Sequence, residues 1–234
     1  GGETNGVDGT SGEAVSSPLL LGFVRPLTSG QESGRASPIA GAIAPIEGED
    51  AAAVPADNLA AIRYFMEEGG LFTIATGRDP FSYLSIASQF PSNTAAILSN
   101  GAVLFDPDTG EDIYESFLPF DCRRGFHELL EKYPAVGMEI VRGTDIRVCG
   151  KTALCAAHLA NMGAPLMEAD MDRVMFPWTK VVIIADEELH DENLLAAEIC
   201  SWLTETFPGK YDAVRAGAIV DITKAGSNKG TGVS

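Results

Sequence analysis

The sequence predicts an α/β fold, because helix-like and strand-like segments alternate over residues 54–118. Residues Asp57 to Glu68 place their apolar side chains on one helical face, and the pair Gly69-Gly70 ends this helix. Two short apolar runs, Leu71–Ala75 and Ala95–Leu98, are typical of buried strands. We therefore expect an open α/β sheet in this part of the chain.

A hairpin and a second unit follow this first block. Residues Ala102–Phe105 and Asp112–Ser116 flank an Asp-Pro-Asp-Thr-Gly turn, which is typical of a hairpin. After Leu118 the order of elements changes and predicts a separate α+β unit inserted into the first. Its expected elements are a helix capped by Asp121, strands at Gly137–Val141 and Asp145–Val148, a helix that is capped by Thr152 and ends at Met162-Gly163, a strand at Lys180–Ala185 and a helix carrying Leu195 to Leu203.

The N-terminal segment differs from the rest of the chain. Gly, Ser and Pro make up 20 of the first 50 residues, so this segment has little apolar surface to bury. We expect residues 1–53 to be irregular, apart from a possible short strand at Leu19–Val24.

The charge of the chain limits its partners. A formal net charge of −17 argues against nucleic acid and against an anionic membrane surface, because both attract clustered Lys and Arg. A small phosphorylated metabolite remains possible, since a few local cations can outweigh a distant acidic surface. The four cysteines show no metal-ligand spacing and predict buried, reduced thiols. No apolar run reaches the about 18 residues of a membrane helix, and we expect a cytoplasmic protein.

The segment Leu71–Arg78 is the most informative of the sequence. A strand leads into Thr76, Gly77 and Arg78 at the carboxyl end of the expected sheet, where open α/β folds bind ligands. A hydroxyl, a glycine that allows close approach and the free amides of the next helix suit an oxyanion such as phosphate. An ordinary strand-to-helix turn is the alternative.

Two further segments combine a strand end with polar residues. In Ile97–Ala102, Asn100 and Gly101 suit binding of a substrate hydroxyl or of the backbone, or form a simple Asn-Gly turn. In Val220–Gly230, Lys229 precedes a helix start and would direct an ammonium group at a phosphate, or it is a solvated lysine beside a cap.

In this order and spacing, the three segments resemble the Cof-type branch (subfamily IIB) of the haloacid dehalogenase superfamily, over about residues 54–234. The resemblance implies a Rossmann-like core at residues 54–118, an α/β cap at residues 119–216, and a return to the core at residues 217–234. It also implies a Mg²⁺-dependent phosphatase of sugar phosphates and related small metabolites.

The resemblance further implies roles for individual residues. Thr76 corresponds to the hydroxyl that holds the phosphoryl oxygens, and Lys229 to the cation that offsets charge on nucleophile and phosphate. Four further positions correspond to those that contact the substrate or the hinge of the cap in proteins of the family: Gly77, Arg78, Asn100 and Gly101.

The sequence departs from the family pattern at its catalytic carboxylates. The family attacks phosphorus with the first aspartate of Asp-x-Asp-Gly-Thr, but residues 44–51 lack this motif, and Gly6–Thr10 imitates it only in part through Asp8. The acidic Mg²⁺ ligands expected after Lys229 are also missing. We therefore expect a catalytically incomplete phosphatase or, alternatively, a phosphometabolite-binding fragment without activity. An unrelated α/β protein with three coincidental turns is the third hypothesis.

Overall fold

The computed structural model describes the backbone of residues 21–25, together with residues 56–185 and 192–229. Its strands form two five-stranded sheets, the first from residues 21–115 and the second from residues 137–224. Helices flank both sheets, and the predicted α/β fold class is confirmed.

The first sheet has the spatial order β1-β2-β3-β4-β5. Its strands are β1 Leu21–Arg25, β2 Leu71–Ala75, β3 Ala96–Leu98, β4 Val103–Asp106 and β5 Glu111–Glu115. Strands β2 and β3 run parallel, whereas β1/β2, β3/β4 and β4/β5 are antiparallel pairs, so the sheet is mixed. Because β2 and β3 are parallel neighbours, their carboxyl ends lie at the same edge of the sheet. The hairpin of β4 and β5 agrees with the sequence prediction.

The second sheet has the order β7-β6-β8-β10-β9 and is antiparallel throughout. Its strands are β6 Gly137–Arg142, β7 Asp145–Gly150, β8 Lys180–Ile184, β9 Tyr211–Ala216 and β10 Ile219–Lys224. Strand β9 was not predicted, because it carries charged residues among its apolar ones and is only partly buried.

Five α-helices accompany the two sheets in the described ranges. They are α1 Ala56–Glu67, α2 Pro80–Leu84, α3 Cys122–Lys132, α4 Thr152–Met162 and α5 Glu192–Thr206. The Asp121 side chain does not cap α3 as expected but pairs with Lys210, and α4 already includes Thr152. None of the helices in these ranges is long and apolar enough to cross a membrane.

Strand β8 is buried on both faces, which explains its continuous apolar sequence. Val181 and Ile183 pack in the core that α3 and α5 cover, whereas Val182 and Ile184 pack in the core on the side of α4. The second sheet is therefore the middle layer of three, and its helices hold it from both sides.

Strand β10 differs from its expected place as the return strand of the first unit. It lies between β8 and β9 of the second sheet, where Val220 is opposite Ile183 and Ile222 is opposite Val181. Val220 and Ile222 are fully buried in the core under α3 and α5. Because burial of these apolar side chains is favourable, β10 pairs with strands of the second sheet. The second sheet consequently extends to Lys224, beyond the expected boundary at residue 216.

Several expectations lie outside the described residues. They concern the segment around Asp8, the acidic residues 44–51 and the helix expected after Lys229. The four cysteines are free; Cys122, Cys149 and Cys155 are buried and Cys200 is half-buried, as predicted for packed thiols. Burial raises the pKa of Cys122 and of Cys155 to about 12, so both remain neutral thiols near pH 7.

Phe126 anchors α3 to the second sheet and provides a test of this packing. Its fully buried ring lies 6.3 Å from that of Trp178 and 5.6 Å from that of Tyr211. We expect Phe126→Ala to lower the free energy of unfolding by about 3–5 kcal/mol, measured by urea denaturation. The control Phe120→Ala removes a ring that is 79% exposed and should cost about 1 kcal/mol or less. Equal losses in both variants would contradict this packing.

Candidate functional site

The turn after β2 places Thr76 and Gly77 at the edge of the first sheet. Thr76 is buried, and its N–H donates to the carbonyl of Ile97 at 2.9 Å. Its Oγ1 accepts the N–H of Arg78 at 3.2 Å. The position of the Thr76 hydroxyl is thus fixed by its own turn, and its O–H group can donate a hydrogen bond to another acceptor.

The turn after β3 has an unusual backbone conformation. Ser99, Asn100 and Gly101 have φ values of 49°, 55° and 99°, a region that residues with a side chain rarely adopt. Two hydrogen bonds join this turn to the first one: Ser99 N–H donates to Arg78 O at 2.8 Å, and Asn100 N–H donates to Thr76 O at 3.0 Å. The two predicted segments therefore form one connected structure.

The second sheet contributes two charged side chains to these turns. Asp221 of β10 accepts a hydrogen bond from Asn100 Nδ2 at 3.0 Å. Lys180 of β8 donates to Gly77 O at 3.0 Å, and its Nζ lies 3.3 Å from Asp221 Oδ1. We call these four residues, Gly77, Asn100, Lys180 and Asp221, the bridging cluster, because it joins the two sheets.

The charges within the bridging cluster compensate one another. Burial alone would lower the pKa of Lys180, but the nearby carboxylates of Asp221 and Asp79 outweigh it, and the pKa is raised. Asp79 is itself buried and caps α2 by accepting the N–H of Ser82 at 2.8 Å. Lys180 therefore remains an ammonium ion at neutral pH, although its side chain is only 5% exposed.

Lys229 reaches the same region from the segment after β10. A Cβ atom at Gly101 would lie 2.2 Å from Asn228 O, so only glycine allows this segment to approach the Ser99–Gly101 turn. Lys229 and Asn100 both line a cleft of about 780 Å³, together with Tyr211, Asp212 and other residues of the second unit. We call it the Asn100–Lys229 cleft.

Burial lowers the pKa of Lys229, and the charge of Asp221 offsets only part of this effect. The ammonium group of Lys229 is thus partly removed from water without a full counter-charge. This environment differs from that of a solvated surface lysine, which was the alternative reading of this residue.

The predicted site residues fall into two groups. Thr76, Gly77, Arg78, Asn100 and Gly101 meet in the two connected turns, whereas Lys229 shares the cleft with Asn100. Thr76 does not line the cleft, and within the described residues no hydrogen bond joins it to Lys229. Its link to the cleft runs through the backbone hydrogen bond from Asn100.

Four residues of this region were not predicted from the sequence to belong to the site: Asp79, Ser99, Lys180 and Asp221. One signal was available: Lys180 opens the apolar run Val-Val-Ile-Ile, and Asp221 interrupts the run Ile-Val-Asp-Ile, although charges are rarely buried without a partner. A lysine and an aspartate within buried strands indicate a paired interaction, but which residues they meet depends on the strand order.

The Mg²⁺ implied by the family resemblance finds no matching set of ligands among the described residues. In these ranges no group of three His, Cys, Asp or Glu side chains is placed to hold a metal ion. Asp221, the carboxylate next to Asn100, is already engaged by Lys180 and by the Asn100 amide. A hard cation requires several oxygen ligands, which this cluster does not offer.

Comparison with known proteins places the chain in a family. The haloacid dehalogenase-like hydrolase family matches residues 49–234. A haloacid dehalogenase-like hydrolase from Bacteroides thetaiotaomicron superposes with a TM-score of 0.62 at 16% identity, covering 82% of this chain and 71% of that one. A HAD subclass IIB sugar phosphatase gives a TM-score of 0.62 at 20% identity, with 83% and 71% covered.

A third similar structure is a phosphatase of the haloalkanoate (HAD) superfamily from Bacteroides thetaiotaomicron, with a TM-score of 0.61, 21% identity, and 83% and 68% of the chains covered. No curated protein sequence is significantly similar to the chain. At these identities the solved structures establish a shared fold. Since the family match extends over most of the sequence, the chain belongs to the haloacid dehalogenase-like hydrolases, as its motifs predict.

Proposed function

We propose that this chain binds a small phosphorylated metabolite of the sugar phosphate class, the class of substrate from which the family's Mg²⁺-dependent phosphatases remove phosphate, at the Thr76 turn and the adjoining Asn100–Lys229 cleft. The proposal rests on the close approach of the Lys229 segment to Gly101, in the turn that is hydrogen-bonded to Thr76. The sugar phosphatase among the similar structures supports the choice of substrate class.

Each of these residues suits an anion. Because Thr76 Oγ1 already accepts the N–H of Arg78, its proton is available to a phosphoryl oxygen. Gly77 leaves the turn without a Cβ, so that the side chains of Asn100 and Asp221 can approach its backbone closely. The partly buried ammonium of Lys229 attracts an anion more strongly than an exposed one would, because water screens it less. These local features can outweigh the formal charge of −17.

Phosphate removal requires catalytic carboxylates in addition to the residues that bind the ligand. The sequence contains no Asp-x-Asp-Gly-Thr segment, which supplies the nucleophile and the acid of the family. The described residues also lack a set of Mg²⁺ ligands. We therefore propose binding without turnover for this chain and derive no catalytic step through the metal.

Binding is tested by isothermal titration calorimetry with glucose 6-phosphate. We expect Thr76→Ala and Lys229→Ala each to weaken binding by about 10- to 100-fold, because each removes one charge-assisted hydrogen bond. Lys224→Ala and Thr109→Ala remove an exposed lysine and an exposed threonine and serve as controls that leave the affinity unchanged. If both site variants bound as tightly as the unaltered chain, the assignment of the site would be refuted.

Turnover is tested by release of inorganic phosphate from glucose 6-phosphate in the presence of Mg²⁺. The chain should release no phosphate above the uncatalysed rate, because its sequence contains no Asp-x-Asp-Gly-Thr motif. A burst of phosphate proportional to the protein concentration would show that another residue replaces this nucleophile. A heat-denatured sample of the same chain is the control for contaminating phosphate.

A further inference from the structure

The carboxamide of Asn100 has one defined orientation in the bridging cluster. Asp221 pairs with the Lys180 ammonium and, as a carboxylate, can only accept hydrogen bonds. The group of Asn100 that faces Asp221 Oδ2 at 3.0 Å must therefore be the NH₂ group.

The opposite end of the amide, Asn100 Oδ1, lies over the turn that holds Thr76. A Cβ atom at Gly77 would be 3.0 Å from Asn100 Oδ1 and 2.9 Å from Asp221 Oδ2. Among the described residues, no donor is paired with Oδ1. Asn100 also lines the cleft with Lys229. The turn thus carries a hydrogen-bond acceptor beside the position proposed for the anion.

The sheet register places Lys180 and Asp221 together. Asp221 lies opposite Val182 across the β8/β10 pair, so Lys180, two residues before Val182, is its diagonal neighbour on the same face. Lys180 also donates to Gly77 O at 3.0 Å. Two adjacent strands of the second sheet therefore hold both turns of the first unit at once.

The Ser99–Gly101 turn depends on support of this kind. Three consecutive positive φ values are unfavourable for Ser99 and Asn100. Ser99 Oγ is buried and, in the described part of the chain, has no hydrogen-bond partner that would stabilise the turn. This support comes from Asp221 of β10 and from the Asn228 backbone in the segment after β10.

We propose that Lys180 and Asp221 are positioning residues that present Asn100 Oδ1 as an acceptor for a hydroxyl group of the bound phosphoester. This rests on the proposed function, since it assumes that the ligand lies in the Asn100–Lys229 cleft. The phosphoryl group of a phosphomonoester dianion has no proton to donate to a carbonyl oxygen, but a sugar or polyol hydroxyl has one. The site therefore favours hydroxylated phosphoesters over anions without a hydroxyl group, such as sulfate.

The test compares glucose 6-phosphate with sulfate, a dianion that has no proton to donate near pH 7, as ligands of the full chain. Asp221→Asn is nearly isosteric and allows the Asn100 amide to flip. We expect it to weaken binding of glucose 6-phosphate by about tenfold and that of sulfate by less than about twofold. Asp145→Asn, the same substitution in an exposed ion pair on β7, is the matched control and should change neither.

A double-mutant cycle separates positioning from a general loss of structure. In the background of Asn100→Ala, Asp221→Asn should have no further effect on the affinity for glucose 6-phosphate, because the oriented group is gone. Lys180→Arg should retain more of the selectivity than Lys180→Met. Additive effects of Asp221→Asn and Asn100→Ala, or an equal loss for both ligands, would overturn the proposal.

A measurement without ligand distinguishes failure of this proposal from failure of the proposed function. In the NMR spectrum of the unaltered chain, the Asn100 NH₂ protons should be protected from solvent exchange, and Asp221→Asn should remove this protection. Fast exchange in the unaltered chain would refute the positioning role even if sugar phosphates bind. Protected NH₂ protons without any binding of either ligand would refute the proposed function and leave the orientation of Asn100 established.

Discussion

The buried ammonium of Lys180 is the interaction on which the arrangement of the two sheets depends. A charge that is 5% exposed is costly unless it is paired, and Lys180 finds its partners in Asp221 and in the carbonyl of Gly77. One partner belongs to each unit. A shift of the second sheet relative to the Thr76 turn would therefore leave a buried charge without its hydrogen bond. This penalty fixes the position of the site.

Further contacts extend this junction along the same edge. Ser227 donates to Ser116 Oγ at 3.0 Å, and Thr179 donates to the Glu115 carboxylate at 3.0 Å. These polar contacts are specific in direction, unlike apolar packing, and one of them involves Ser227, which lines the Asn100–Lys229 cleft. The junction thus combines a buried ion pair with hydrogen bonds, and the candidate site lies where the two sheets meet.

Much of the fold follows from local patterns in the sequence. The strand Leu71–Ala75 has the predicted bounds, and β3 and α4 differ from their predicted bounds by one residue or none, because apolar runs and the Gly163 stop carry the information locally. The sheet that contains β10 could not be predicted in this way. The alternating buried residues Val220 and Ile222 indicate that one face of this strand packs in a hydrophobic core. They do not indicate which of the two sheets the strand joins.

The candidate site shows the same division between local and long-range information. Thr76, Gly77, Asn100 and Gly101 were recognisable because their chemistry follows strand ends within a few residues. Lys180 and Asp221 act across 103 and 121 positions in the sequence, on Gly77 and Asn100 respectively. Such pairs depend on strand order and register, which no single segment encodes. The strained Ser99–Asn100 backbone likewise requires tertiary contacts to persist.

The central claim is that the Thr76 turn and Lys229 serve one anion. A crystal of the chain soaked with tungstate, a heavy-atom analogue of phosphate, tests this most directly through the anomalous signal of tungsten. The expected result is one peak whose oxygens lie within hydrogen-bond distance of both Thr76 Oγ1 and Lys229 Nζ. A peak that contacts only one of these two groups, with the other directed elsewhere, would contradict the claim.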